Sequence, residues 1–422
     1  MHILVLGTGS REHALAEKIA ESPLATQVFL APGNAGTHPL FPQVPVANFE
    51  QIAQSLLENQ IQVLVIGPEQ YLVDGLVDFL RLQAGLENLC IVGPDQACAA
   101  LEGSKDFSKQ VMLEAGIPTA AARTFTAAQW LELEAYLAQH TLPVVIKADG
   151  LAAGKGVAVC STHAEALAFS ASVLKDQVFG AGNASVLVEE FLDGIEVSMF
   201  ALCDGKNYQL LPEAKDYKRI FDGDQGPNTG GMGAVSPVPF VDAVFRQKVE
   251  DRVLKPLFQT LNRRGLSYTG FLFVGLMKVG EDPYVIEFNA RMGDPETQTV
   301  MNRISGDLLP ALLAIRTQTL DQFPIAIRPE AVATVVLCAE KYPETPVKGD
   351  AIEIHSHPQA RIYFAGVSRG ESGLQTNGGR VLSCTASGAD AAQALQQAYK
   401  QAAQVRFRGM QYRKDIGQDV WG

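Results

Sequence analysis

Lys147-Ala148-Asp149-Gly150-Leu151-Ala152-Ala153-Gly154-Lys155-Gly156-Val157-Ala158-Val159-Cys160 is the stretch on which the fold turns. It has the look of a phosphate-binding P-loop and fails the test for one. The spacing from Gly150 to Gly154 is one residue short, and Gly156 stands where that motif needs a Ser or Thr for magnesium. Val157-Ala158-Val159-Cys160 reads as a strand, not as the helix that a P-loop feeds. The apolar run Pro143–Lys147 is a strand too, so the segment is strand–loop–strand, a flap with a cation near its tip. An ordinary flexible hairpin accounts for the glycines. It does not account for an apolar strand that ends in Lys147-Ala148-Asp149-Gly150, and the flap therefore reads as functional.

Upstream, apolar runs at Ile3–Leu6, Val28–Leu30, Val63–Ile66 and Cys90–Val92 alternate with helical patterns such as Glu12–Glu21 and Leu72–Leu80. Alternating strand and helix predicts a parallel sheet with helices on both faces, a Rossmann-like N-terminal domain over residues 1–103. Gly7-Thr8-Gly9-Ser10-Arg11-Glu12 lacks the third glycine of a dinucleotide motif, because Glu12 stands there. The acidic residue expected after the second strand is also missing, since Leu30 leads into Ala31-Pro32-Gly33. A nicotinamide oxidoreductase is thereby disfavoured. Each glycine loop alone, 7–12 or 32–37, reads equally as a turn or a ligand site. Two of them at consecutive strand ends favour an anionic ligand, because backbone N–H groups converge there.

Downstream, a central unit over 104–328 opens with the helix Lys105–Ala115 and carries strands at Leu187–Phe191, Val197–Leu202, Phe271–Lys278 and Tyr284–Asn289. The last of these runs on into Arg291 and alternates strictly. Ile286, Phe288 and Ala290 should face the core, with Glu287, Asn289 and Arg291 together on the other side. A carboxylate beside an amide oxygen is hard-oxygen chemistry, suited to magnesium held with nucleotide phosphates. Arg291 can fork onto a carboxylate or a transferring phosphoryl group. A solvated strand face is the plain alternative. Gly293-Asp294-Pro295-Glu296-Thr297 follows directly, however, and a long charged, glycine-rich loop runs from Glu213 to Gly233, which favours a site. Residues 329–422, with strands around Ala333–Cys338 and Arg380–Thr385 and a helix near Ala389–Ala403, make a small α+β domain.

A chain of 422 residues needs several cores. Its formal net charge of -12 argues against nucleic acid or an anionic membrane as partner. The six cysteines form no C-x-x-C pair, which suits buried free thiols in a reducing cytoplasm. No stretch approaches the roughly 20 apolar residues of a membrane span. The first apolar run is too short for a signal peptide.

Glu12-His13-Ala14, Gly33-Asn34-Ala35-Gly36-Thr37, Gly67-Pro68-Glu69, the Lys147–Gly156 stretch and Gly226-Pro227-Asn228-Thr229-Gly230-Gly231-Met232-Gly233 occur in that order. Glu287-Phe288-Asn289, Gly293-Asp294-Pro295-Glu296-Thr297-Gln298, Gly378-Gly379-Arg380 and Tyr412-Arg413-Lys414-Asp415-Ile416-Gly417 complete the set. Over nearly its whole length the chain resembles the glycinamide ribonucleotide synthetase (phosphoribosylamine–glycine ligase) family. The resemblance implies ATP-grasp central domains that clamp ATP between two sheets, with a flap subdomain at about 119–191.

It further implies ATP phosphates on Lys105 and Lys147 under the flap residues Gly154, Lys155 and Gly156. Glu189, Glu190, Phe191 and Leu192 would form the adenine hinge, Glu196 would meet the ribose, and Asn228 would join the nucleotide site. Glu287 and Asn289 would hold Mg2+ or Mn2+. Gly9, Ser10, Arg11, Gly33, Asn34, Ala35, Gly36 and Glu69 would receive 5-phosphoribosylamine. Arg291 would hold the glycine carboxylate, with Asp216 or Asp294 on its ammonium, so that Arg291, Lys147, Asp216 and Asp294 form the catalytic set. The reaction implied is ligation through glycyl phosphate, by a monomer. Lys215 and Tyr217 stand where the family pattern has Gln and His, Met292 where it has Phe, and Phe364 where it has His. A paralogous ligase acting on another acid or amine is the alternative. A regulator without catalysis is disfavoured by the paired metal ligands, Arg291 and the flap.

Overall fold

The computed structural model describes every residue except 153–154, 181–184, 356–357, 372 and 422. Strands β1 (His2–Gly7), β2 (Gln27–Pro32), β3 (Val63–Ile66) and β4 (Cys90–Val92) form a parallel sheet in the order β2-β1-β3-β4. The strands are apolar on both faces because both faces are covered. Ile3, Val5, Val63 and Val65 pack with Leu15 and Ile19 of helix α1 (Ser10–Ala20), while Leu4, Leu6, Leu64 and Ile66 pack with Ile52 and Leu56 of the helix Phe49–Glu58. The helix expected at 72–80 is instead two, Glu69–Val73 and Leu76–Arg81. They part at Gly75, whose φ of +87° is left-handed and cheap only for glycine.

The flap subdomain is an antiparallel sheet of β5 (Ala122–Thr126), β6 (Val144–Ala148), β7 (Val157–Cys160) and β8 (Ser185–Glu190), in the order β5-β8-β6-β7. It has its own core of Phe125, Leu133, Leu137, Val144, Ile146, Val186 and Val188. Alternation along β6 and β8 then turns Lys147 and Glu189 out of the other face.

Opposite lies the central antiparallel sheet, built from β9 (Ile195–Asp204), β10 (Thr269–Val279) and β11 (Asp282–Asn289) with the short edge strand Tyr208–Leu210. Val197, Met199 and Leu272 pack on Phe245, Leu257 and Leu261 of the helical segment behind it. Phe200, Leu202, Phe271 and Phe273 pack against the N-terminal core. One correction to the expected alternation falls on β11. Gly275 pairs with Glu287 and Leu276 with Val285, so Ile286 is an extra, bulged residue. Val285 (0%) and Phe288 (2%) are buried, and Ile286 is only half-buried. The bulge leaves Glu287 and Asn289 on the flap-facing side.

A five-stranded antiparallel sheet closes the chain, in the order Lys215–Asp216, Gly233–Ser236, Ala331–Cys338, Arg380–Gly388, Ala360–Phe364. Its first two strands come from upstream of the expected boundary at 328. The helix Ala391–Ala402 covers it through Ala394, Ala398 and Ala402. Helix α3 (Glu296–Arg303; α2 is Lys105–Glu114) packs against both this sheet and α1.

Candidate active site

Lys147 reaches across the gap between the two sheets. Its Nζ lies 2.6 Å from Glu189 Oε2 and donates to the carbonyl of Ile286, the bulged residue of β11, at 3.0 Å. Lys109 of α2 takes the other Glu189 oxygen at 2.8 Å. Burial alone would raise the Glu189 carboxyl, but the Lys147 and Lys109 ammonium groups more than offset it and hold it below its ordinary value. Burial in turn pushes Lys109 down. Glu189 is therefore a clamp on two lysines, and its neighbour Glu190 accepts from the Ala121 N–H at 2.9 Å. Of the residues expected at an adenine hinge, Phe191 is exposed and Leu192 half-buried, where the chain crosses from β8 to β9.

The root of the flap is tied to α2. Ser104 caps that helix by accepting from Phe107 N–H at 3.1 Å. Asp149 Oδ1 accepts from Lys105 N–H at 2.6 Å and from Gly150 N–H at 3.1 Å, a carboxylate where the helix N-terminus favours one. Lys105 Nζ donates to the Gly150 carbonyl at 2.8 Å. Burial lowers the Lys105 pKa, the Glu287 carboxylate opposes this, and the Lys147 charge adds to it. Lys155 donates to Pro343 O at 3.4 Å, and a side chain on Gly156 would press on Ala152 Cβ at 2.6 Å. Gly154 lies outside the described residues. The anchoring role of Asp149 was absent from the expected set, although an acid directly after the strand and a Ser-Lys helix start were both visible.

Ser198, Gly275 and Glu287 form one row across the floor of the gap. A Cβ on Gly275 would lie 3.0 Å from Glu287 Cγ, so the glycine keeps the floor open. Asn289 Nδ2 donates to Glu287 Oε1 at 3.3 Å. Lys218 pairs with Glu196, the residue expected at the ribose. Burial disfavours the Lys218 charge, but Glu196, Asp216 and Glu287 together raise its pKa well above normal. Asp216 is pushed up to about 6, by burial first and by Glu196, with Lys218 opposing. Glu296 accepts from Ser198 Oγ at 3.1 Å and is pushed up to about 8 by burial and by the Asp216 charge. Lys218 and Glu296 were not expected as site residues, though both lie in quoted charge-rich segments. Asn228 sits opposite Arg219 on a hairpin beside the cluster.

Adjacent carboxylate and amide oxygens on Glu287 and Asn289 fit a hard divalent ion completed by phosphate oxygens and water. Among the described residues no group of three His, Cys, Asp or Glu is placed to hold a metal ion.

At the N-terminal end an ionic line runs through the site. Arg11 Nε meets Glu12 Oε1 at 2.5 Å and its Nη1 lies 4.0 Å from Glu69 Oε2; Arg291 Nε meets the same Glu69 oxygen at 3.1 Å and its Nη2 meets Glu102 Oε1 at 2.7 Å. Burial would raise Glu69, but Arg291 and Arg11 hold it at about 2. Burial raises Glu102 to about 7 against the pull of Arg291. Glu102 also accepts from Ala290 N–H at 2.7 Å and so fixes the strand end that carries Arg291. No motif had pointed to it.

The two glycine loops meet as expected at the strand ends, but several of their side chains bind protein. Gly9 N–H donates to Glu12 Oε2 at 2.7 Å, and Ser10 Oγ donates to Tyr363 O at 2.8 Å. Asn34 Nδ2 donates to Thr8 O at 2.8 Å and to Phe364 O at 3.1 Å, while its Oδ1 accepts from Gly36 N–H at 2.9 Å. Gly33 is left-handed at φ +62°, and Ala35 is buried in the C-terminal core. Asp294 pairs with Arg380 at 3.1 Å and accepts from Gln298 at 2.8 Å. Of the departures from the family pattern, Lys215 and Tyr217 both end on Asp419, away from Asp216. The Met292 side chain is buried in the N-terminal core. The Phe364 side chain packs on Gly36 of the second glycine loop and stacks on His13 at 5.8 Å, and the Met292 carbonyl accepts from Arg11 at 3.2 Å.

Three family models match the chain: phosphoribosylglycinamide synthetase N domain over residues 1–102, its ATP-grasp (A) domain over 103–297, and its C domain over 332–419. The chain is 44% identical to a phosphoribosylamine–glycine ligase of Pseudomonas aeruginosa over 99% of this chain and 97% of that one. It is 43% identical to that of Neisseria meningitidis serogroup B, over 99% and 98%. The crystal structure of the Thermotoga maritima phosphoribosylamine–glycine ligase superposes with a TM-score of 0.86 at 34% identity, covering 98% of this chain and all of that one. The biotin carboxylase domain of Hydrogenobacter thermophilus 2-oxoglutarate carboxylase, solved with MgADP, shares the fold at a TM-score of 0.73 and 16% identity, over 97% and 91%.

Proposed function

The chain belongs to the phosphoribosylglycinamide synthetase family, and on that premise we propose how its own residues perform the reaction. It is an ATP-dependent ligase that joins glycine to 5-phosphoribosylamine in purine biosynthesis. The observation that carries the residue-level reading is Lys147 of the flap sheet reaching the carbonyl of Ile286, the residue before Glu287, across the gap between two sheets.

A carboxylate does not condense with an amine unaided, because its leaving group would be an oxide. Glycine therefore attacks the γ-phosphate of ATP through its carboxylate, ADP departs, and glycyl phosphate forms. The amine of phosphoribosylamine then attacks the acyl carbon and phosphate leaves. Phosphoryl transfer needs positioning and charge stabilisation above all. Lys105 and Lys147 hold the phosphates, and Glu189, itself paired with Lys109, holds Lys147 in place. A divalent ion on Glu287 and Asn289, for which we favour magnesium, supplies Lewis-acid stabilisation of phosphate charge when bound. Phe191 and Leu192 offer the apolar surface for adenine, with Glu196 and Asn228 toward the ribose. Arg291, held by Glu69 and Glu102, presents its remaining Nη1–H to the glycine carboxylate and then to the oxyanion. Asp216 is the better partner for the glycine ammonium. Asp294 already holds Arg380 and Gln298, whereas Asp216 sits among an excess of carboxylates.

The glycine loops 7–12 and 33–36, with Arg11 and the N-terminal end of α1, take the phosphate of phosphoribosylamine. The 150–156 loop closes over the phosphates and keeps water from the acyl phosphate. Six free, buried cysteines suit a reducing compartment, and we propose a cytoplasmic monomer. ADP release is the test, with ATP, magnesium, glycine and freshly generated phosphoribosylamine each left out in turn. Release that requires both substrates and yields glycinamide ribonucleotide is expected. Release with another acid or amine, and not with this pair, would overturn the substrate assignment and leave the ligase chemistry.

A further inference from the structure

Asp216 does not hold its own place. Its strand neighbours Lys215 and Tyr217 project to the opposite face, where Tyr217 packs in the C-terminal core. Both end on one carboxylate at the end of the chain. Lys215 Nζ lies 2.8 Å from Asp419 Oδ2, and the Tyr217 hydroxyl donates to Asp419 Oδ1 at 2.5 Å. The Lys215 ammonium sits 4.1 Å from the Tyr217 ring centroid, with the Arg413 guanidinium 5.1 Å from it. The following hairpin is gripped by the same terminal segment. Arg413 pairs with Asp224 at 2.5 Å, Lys414 N–H donates to Asp222 at 2.8 Å, and Gly223 N–H donates to Asp415 at 2.8 Å.

We propose that Asp419 is a positioning residue for glycine: by holding Lys215 and Tyr217 it sets where Asp216 presents its carboxylate, and it does so from the side away from the reacting atoms. The proposal rests on the reading of Asp216 given above. On the other face Asp216 meets Glu196 of β9, Glu287 of β11, Glu296 of α3 and Lys218 of its own segment. Glu196 and Glu287 push its charge while Lys218 and, from behind, Lys215 pull it, so whatever holds Lys215 bears on where the Asp216 carboxylate sits. Asp419 is half-exposed, with 48% of its side chain accessible, so its removal opens no cavity in the core.

Steady-state kinetics of the full chain, each substrate varied in turn, test this. Asp419→Ala should raise the KM for glycine about tenfold, through misplacement of a group that meets it. The KM values for ATP and phosphoribosylamine, and kcat at saturating glycine, should stay within about twofold. Asp419→Glu should restore most of the glycine affinity. Asp216→Asn, measured alongside, separates the two claims. If it leaves the glycine KM unchanged, the reading of Asp216 fails and this inference with it. If it raises that KM while Asp419→Ala does not, the positioning role alone is overturned. Equal rises in all three KM values with a lowered Tm would reduce Asp419 to a stabilising contact and also overturn the proposal.

Discussion

Replacing Glu189 by Gln separates two accounts of that residue. As a hinge residue reading the base, its loss would alter preference among nucleotides and leave stability nearly intact. As a clamp, its loss strands two ammonium groups, since the Lys109 and Lys147 side chains are only 5% and 6% exposed. Removing one partner from a buried ionic pair costs about 3–5 kcal/mol, because the remaining charge is left without compensation. Gln keeps one acceptor oxygen, which places the expected loss near the lower end, about 3 kcal/mol. The flap sheet has its own core and meets the central sheet through Lys147 and Ile286, so part of the loss should show as a raised KM for ATP. Urea unfolding at neutral pH gives the first number and steady-state kinetics the second. The Glu189 carboxyl is held below its ordinary value by both lysines, although burial alone would raise it. Its stabilisation is then present above the unfolded carboxylate pKa, and the gap between the two proteins should close as pH falls below about 4. A loss under about 1 kcal/mol with an altered ATP-to-GTP preference would refute the clamp.

Glu296 is pushed up to about 8, by burial and the Asp216 charge with Lys218 and Arg291 opposing, so its stabilisation is complete below 4.5 and lost as pH rises through 8. Glu296→Gln should therefore flatten the fall in Tm over that range, and parallel Tm curves for the two proteins would count against it. Asp149→Ala removes the acceptor of the Lys105 and Gly150 N–H groups and should cost about 1–2 kcal/mol, as helix-cap losses do, with a higher KM for ATP. An unaltered urea midpoint would argue that the flap root is held elsewhere. Gly67→Ala drives a Cβ into the buried Glu12 carboxylate between the ends of β1 and β3, an overpacking of about 1–3 kcal/mol. It should weaken phosphoribosylamine binding more than ATP binding, and equal effects on the two would be the contrary result.

The strands of the parallel and central sheets were legible because each is a short apolar run, and β3, β4 and β7 begin and end where the runs do. What escaped was whatever depends on a partner far along the chain. The bulge at Ile286 exists only in the pairing with β10, so period-two alternation had to misplace that side chain. Lys215–Asp216 and Gly233–Ser236 are too short to announce themselves; Gly233–Ser236 becomes a strand on the edge of Ala331–Cys338, and Lys215–Asp216 then pairs with it. In the site, residue type and spacing singled out Lys147, Glu287 and Asn289, and the family resemblance put them at one gap. They could not show that Glu189 has two lysines to satisfy, or that Glu102 holds Arg291, because Lys109 and Glu102 sit on other elements. Ser10 and Asn34 stand in the right loops with their side chains turned to protein, a distinction that depends on where the strand Ala360–Phe364 lands.

Glu12, Arg11, Glu69, Arg291 and Glu102 alternate in sign from the first glycine loop to the residue three places before Lys105. Such a line serves an enzyme whose two half-reactions involve the same carboxyl group, first at its oxygen and then at its carbon. In the role proposed for Arg291, its guanidinium must keep its place while the neighbouring charge changes from carboxylate to acyl phosphate to oxyanion. Held by one partner, Arg291 would follow each change; held by Glu69 on one side and Glu102 on the other, it does not have to. Preorganised charge of this kind acts without reorganising during the reaction, which is the main source of electrostatic catalysis. Part of the arrangement's cost is borne at Glu102, whose carboxyl burial has raised to about 7. The arginine it holds opposes that rise, so the same contact that fixes Arg291 also favours the charge that fixes it.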